Sequence, residues 1–203
     1  MANDSTAAGF LLPVAGPVYD DALDDQIRAT IAGVTGLDPL LVMPRWQADT
    51  NPTLPEAGVN WCSAGITDWE PDGFPAEVHN GSDGPFGEGT HSVINQEDCM
   101  AMLTFYGPNA NGFEANFRAG MQLAQNRVLL DAVGLAYISL SKPISRPDLR
   151  QMQWLRCVEV RMWLRRQASF TFGIRNLNGA TVQVNTDTNP TITDSVTVNP
   201  PSE

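Results

Sequence analysis

The sequence predicts an α+β domain set between two extended arms. Three observations carry this. Apolar residues recur at helical spacing in two stretches, roughly 21–34 and 111–133. Shorter apolar or alternating runs of strand length lie between and after them, about five to seven in all. The two ends are poor in charge or in aromatic residues and have little to bury. At 203 residues the chain has one domain's worth of length, with some to spare. A chain of this size buries roughly 70% of its unfolded surface, enough for a core without staples.

Residues 1–19 read as a Pro/Gly-punctuated arm in which Asp4 is the only ionised side chain. Leu23, Ile27, Ile31 and Val34 then form one helical stripe. Asp21 suits its cap, Asp24 and Asp25 suit the positive end of the helix dipole, and Gly36 suits its stop. Leu40 to Trp46 reads as extended and 47–58 as a loop. Trp61 to Trp69 reads as a strand with Trp61, Ser63, Gly65, Thr67 and Trp69 on one face. Residues 75–79 and 91–95 read as short strands around a mobile, acidic tip at 80–90, where four glycines leave little to pack. Cys99 to Tyr106 is apolar on both faces, as a central strand is.

The second helical stripe is Phe113, Phe117, Met121, Ala124 and Val128, with Asn111 and Glu114 at capping-box spacing. A single helix over 111–133 would be about 34 Å long. Residues 135–141 read as a strand, Ser145 to Gln153 as a helical turn after Pro147, and 154–166 as the most regular strand, covered in part on both faces. The last 28 residues, 176–203, contain no aromatic and no basic residue. They read as an extended arm able to pair on a sheet edge. The organisation expected is therefore an arm at 1–19, a domain at 20–175 and an arm at 176–203.

The net charge of −11 opposes non-specific binding of the whole chain to DNA or to acidic membranes. It is unevenly spread. Residues 1–101 carry sixteen acids and two bases, and 102–203 carry seven acids and ten bases, so −14 and +3 sum to −11. Either copies attract one another through these halves, or acidic loops keep a monomer soluble. Cys62, Cys99 and Cys157 form no CxxC pair and read as small buried apolar residues of a reducing compartment. No signal-peptide pattern and no apolar run of membrane length is expected.

Catalytic motifs are missing: there is no Walker loop, no GxGxxG and no GxSxG. His79, Asp83, His91 and Asp98 could be drawn together around a hairpin tip, but read better as polar residues of an exposed loop. No catalytic residue, cofactor or metal is expected. The sharpest polar feature is Arg146, Arg150, Arg156, Arg161, Arg165, Arg166 and Arg175 within thirty residues. Three readings stay open for it: docking to acidic residues of a neighbouring subunit, a phosphate track with Trp154 and Trp163 for stacking, or ion pairs within the chain.

Several ordered blocks carry a resemblance. They are Leu41-Val42-Met43-Pro44-Arg45-Trp46-Gln47, Pro55-Glu56-Ala57-Gly58, Asn60-Trp61, Ala64-Gly65-Ile66-Thr67 and Asp72-Gly73-Phe74-Pro75. Phe105-Tyr106-Gly107-Pro108-Asn109-Ala110, Gly120 to Arg127, Trp154-Leu155-Arg156 and Leu164-Arg165-Arg166-Gln167 follow. In order and spacing these resemble the phage neck terminator family over roughly 22–172.

The resemblance implies a mostly antiparallel sheet with two amphipathic helices packed on one face. It implies a virion structural protein, assembled in the bacterial host cytoplasm, with no enzymatic role. Its partners would be copies of itself in a ring, hexameric by preference or dodecameric, the adjacent head-connector and tail-tube proteins, and double-stranded DNA in passage, with no membrane. Arg156, Arg161, Arg165, Arg166 and Arg175 are then subunit-interface candidates, as are Asp21, Asp24 and Asp25. Asp83 and Glu88 are candidates for the lumen or an interface loop. The competing functions are a nucleic-acid-binding module using the strand at 154–166 and, further off, a small hydrolase.

Overall fold

The computed structural model describes residues 5, 8–46, 54–56, 58–81, 88–150 and 152–176. The expected C-terminal arm beyond Asn176 and most of the glycine-rich tip, Asp83 included, lie outside the described residues. The fold is α+β with a mostly antiparallel sheet. The chain divides into two compact units. One holds Pro17–Pro75 and Asn95–Ala168; the other holds Met1–Gly16, Ala76–Ile94 and Ser169–Glu203.

In the larger unit, helix α1 (Asp21–Thr35) buries Leu23, Ile27 and Ile31 completely. Gly36 ends it in the left-handed region, φ 73°, with its N–H on the Ala32 carbonyl at 2.9 Å. Glycine adopts this conformation without steric cost. The start differs from expectation. Asp20, not Asp21, holds the cap position, and its backbone carbonyl rather than its side chain accepts from Leu23 and Asp24.

After a 3-10 turn at Pro39–Leu41, β2 (Val42–Pro44) runs parallel to β3 (Trp61–Pro71). Strand β3 lies antiparallel to β5 (Glu88–Tyr106). The sequence separates 91–95 from 99–106, but β5 is one strand through both. A register shift between Ile66 and Asp68 adds Thr67 as an extra residue. An added residue inverts the alternation that follows it. Trp61 therefore stacks on Tyr106 at 4.1 Å, whereas Trp69 packs against the core. The five residues expected on one face are divided by this bulge.

The expected helix at 111–133 is broken. Helix α2 (Ala110–Gly120) is followed by a 3-10 turn, Ala124–Arg127, and the short α3 (Val128–Ala132). The Asn126 amide donates to the Gly120 carbonyl at 2.9 Å, turning the chain there. A Cβ on Gly120 would stand 2.4 Å from Val34 Cγ1, so close approach to α1 requires glycine. The stripe holds through Phe117 and Met121, both fully buried, and fails at Ala124 and Val128, which are exposed. The capping box is also absent: Asn109 is at the cap, and Glu114 pairs with Arg118 at 2.5 Å instead.

Strands β6 (Leu135–Leu140) and β7 (Ile144–Arg150) both lie antiparallel to β8 (Gln153–Arg175). The stretch read as a helical turn is thus β7. Pro147 sits opposite Arg156, and β8 is the only partner of β7 among the described residues. Proline is tolerated on such an edge because one side of the strand needs no donor. Strands β8 and β5 are neighbours. The core joins Cys99, Ala101, Leu103 and Phe105 of β5 to Val158, Val160, Met162 and Leu164 of β8, with the α1 and α2 stripes and Leu130.

In the smaller unit, β1 (Pro13–Ala15) pairs with the last part of β8. Strand β4 (Ala76–Asn80) pairs with the first part of β5. All three cysteines are buried and none is in a disulfide. Burial pushes the Cys62 thiol far up and that of Cys99 up to about 12. No helix among the described residues is long and apolar enough to cross a membrane.

Replacing Phe117 by Ala should cost about 3–5 kcal/mol. Val128→Ala should stay within about 0.5 kcal/mol. Urea unfolding of the two variants checks this, because one unbroken helix would make both costly.

Candidate functional site

Consecutive strand residues face opposite ways. At the centre of β5 and β8, Glu97-Asp98 meets Arg165-Arg166, and the two pairs divide between the faces. Arg166 and Glu97 are buried, with the Arg166 Nε 3.1 Å from the Glu97 Oε2. The Arg166 Nη1 donates to the Val18 carbonyl at 2.6 Å. Its guanidinium lies 4.2 Å from the Tyr19 ring centre and 4.8 Å from that of Trp69. The Tyr19 hydroxyl donates to Glu97 at 2.7 Å, and burial first, then this carboxylate, raises its pKa. On the other face Arg165 grips Asp98 with two bonds, 2.5 and 2.6 Å, which holds the Asp98 carboxyl below its usual pKa.

The arginines expected to act together are therefore separated. Arg166 is inside the subunit rather than at its surface. Arg161 and Arg165 are exposed on the outer face of β8, with Trp163 between them half-buried. Arg156 is exposed near the hairpin end beside Trp154, which is 70% exposed and opposite Leu149. The side chains of Arg156 and Arg161 have no ion-pair partner among the described residues. Arg146 lies 3.7 Å from Glu159, and Arg175 lies 3.1 Å from Glu88.

Asp21 and Asp25 are exposed on α1, and Asp25 pairs with Arg28. Asp24 is instead buried, 5% exposed, with its Oδ1 accepting from the Ile66 N–H at 2.9 Å. A Cβ on Gly65 would approach its Oδ2 to 3.0 Å, so glycine makes room for the carboxylate. Asp20, Asp21 and Asp24 line a cleft of about 160 Å³ with Trp46, Ile66 and Trp69. Among the described residues no three His, Cys, Asp or Glu side chains are gathered for a metal ion. His79 faces His91 across the β4–β5 hairpin, while Asp98 is held by Arg165.

Sequence reasoning missed Tyr19, Trp69, Glu97 and Asp98 as partners of the arginines. The available signal was two adjacent acids matched by two adjacent arginines on strand-like segments.

Burial raises the Asp24 pKa, against the Ile66 hydrogen bond that lowers it. The folded state thus favours the protonated form. That contribution is complete below the unfolded value of about 3.9 and is lost as pH rises through the elevated folded value. Asp24→Asn keeps an acceptor for Ile66 and removes the buried charge. It should be at least as stable as the parent at pH 7, with a flatter stability profile above pH 4. Asp24→Ala leaves the N–H unpaired and should cost about 1–3 kcal/mol. Denaturation across a pH series separates the three proteins.

The model of a family described as phage neck terminator protein matches residues 21–189, from the start of α1 past the end of β8. A search of the curated proteins returned no match. The matched span includes both charge pairs, the bulged β3 and the first part of the Thr/Asn-rich end, beyond the 22–172 of the sequence resemblance. The chain belongs to the phage neck terminator proteins, structural components of the virion neck.

Proposed function

We propose that copies of this chain close into a ring, hexameric by preference, between the head connector and the tail, with DNA passing through the lumen. The subunits are made in the bacterial host cytoplasm, and the ring has no catalytic role. The observation that carries this reading is the outer face of β8. There Arg161, without an ion-pair partner among the described residues, stands beside Trp163 and the Asp98-bound Arg165, while exposed Asp21 and Asp25 sit on α1. A closed ring of identical subunits joins one patch to a different one, and an arginine-bearing face meeting an acidic one satisfies that need. Arg156 with the exposed Trp154 suits docking to a neighbouring neck or tail protein, since aromatic and arginine side chains dominate interface energies. A net charge of −11 keeps phosphate from adhering in a narrow passage.

Arg161→Glu should raise the protein concentration needed for assembly at least tenfold, a loss of about 1.4 kcal/mol or more. The fold should be intact by circular dichroism. Added salt should weaken the parent's assembly in the same direction. Unchanged assembly of the variant, measured by mass in solution, would remove this interface. Salt-dependent binding of the parent to double-stranded DNA without assembly would favour the nucleic-acid-binding module.

A further inference from the structure

Strand β4 is an edge. All its residues are exposed, and β5 is its only strand partner among the described residues. Its sequence, Ala76-Glu77-Val78-His79-Asn80, contains neither the lysine nor the proline that commonly guards an edge against pairing. Its two faces differ: Ala76 and Val78 point one way, and Glu77 and His79 the other.

A matching segment exists in the same chain. After Asn176 a further 27 residues remain, 203 minus 176, enough to reach about 90 Å when extended. Within them Thr181-Val182-Gln183-Val184-Asn185 alternates polar and β-branched apolar residues, and Pro190 bounds the run. The family match extends through this run to residue 189. The point of departure is fixed. Arg175 pairs with Glu88, and the Asn176 amide donates to the carbonyls of Gly81 at 2.8 Å and Glu88 at 3.4 Å. Strands β8 and β4 lie on opposite sides of β5. Strand β8 thus ends at the tip of the β4–β5 hairpin, and the segment would have to reverse its direction there to run along its own β4.

We infer that β4 accepts the C-terminal segment of a neighbouring copy, with residues 181–185 pairing along Ala76–His79. This rests on the reading that copies assemble. Backbone hydrogen bonds supply the attachment, and side chains supply the register. Val182 and Val184 then lie over Ala76 and Val78, while Thr181 and Gln183 lie with Glu77 and His79. The C-terminal segment is on this account an assembly arm, linking each subunit to the next.

Three proteins test this: the full chain, a chain ending at Asn176, and a full chain carrying Val78→Lys. The chain ending at Asn176 should keep the parent's thermal midpoint and need at least tenfold more protein to assemble. Val78→Lys should do the same from the acceptor side. A synthetic peptide of residues 177–203, added to the shortened chain, should slow amide exchange at 76–79, and should fail to do so when that chain also carries Val78→Lys. A lowered midpoint in the shortened chain would mean that the segment serves its own sheet, and would overturn the inference. So would equal assembly of the shortened chain, or peptide protection at another strand. A parent that stays monomeric while the peptide still protects β4 would sink the ring and leave the acceptor edge standing.

Discussion

A cation removed from water sits at the junction on which the larger unit depends. Arg166 is enclosed by a carboxylate, a backbone carbonyl and two aromatic faces that come from three other parts of the chain. Desolvating a charge costs several kcal/mol, so the site is tolerable only when all of these arrive together. Glu97 supplies the opposite charge. Val18 and Tyr19 bring the segment entering α1, and Trp69 arrives because the bulge in β3 turns it inward. The segment before α1, the alignment of β5 with β8 and the bulge are thereby mutually conditional. A hydrophobic replacement could fill the volume, but it would not select this one arrangement of four segments.

The adjacent pair works under other physics. Asp98 and Arg165 meet where water competes, so their bidentate contact adds little to stability despite its short distances. It does engage one arginine on the face that Arg161 shares. One strand thus carries a cation with a structural role, one with an engaged surface position and one without an ion-pair partner among the described residues, all within six residues. In a subunit of the virion neck, that separation lets the interior be fixed before any partner is met. Surface charge then governs the rate and orientation of encounter more than the fold.

Much of the architecture was legible because its signals are periodic. The stripe of Leu23, Ile27 and Ile31 and the alternation Val158, Val160, Met162 and Leu164 in β8 announce their buried faces directly. The remainder depended on single residues whose effect is tertiary. The spacing of Ala124 and Val128 continues the stripe, yet the helix ends at Gly120, where the Asn126 amide takes the carbonyl and the chain turns. Pro147 suggested a turn, yet an edge strand accepts it. One extra residue at Thr67 reverses the side on which Trp69 emerges, and alternation alone does not reveal a bulge. For the candidate site, composition singled out the arginines and the acids. It gave no means of knowing that Arg166 and Asp24 face inward, because a buried charge shows itself only through partners distant in sequence.

The three thiols have a consequence for how the particle ages. Disulfide exchange requires a thiolate and an approach path. Cys62 and Cys99 are held protonated by burial, and Cys157 is also covered. A virion neck holds its proteins close together, and outside the host it meets oxidising surroundings. Accessible thiols there would weld neighbours into random covalent adducts. Sequestered ones keep this neck protein out of such adducts.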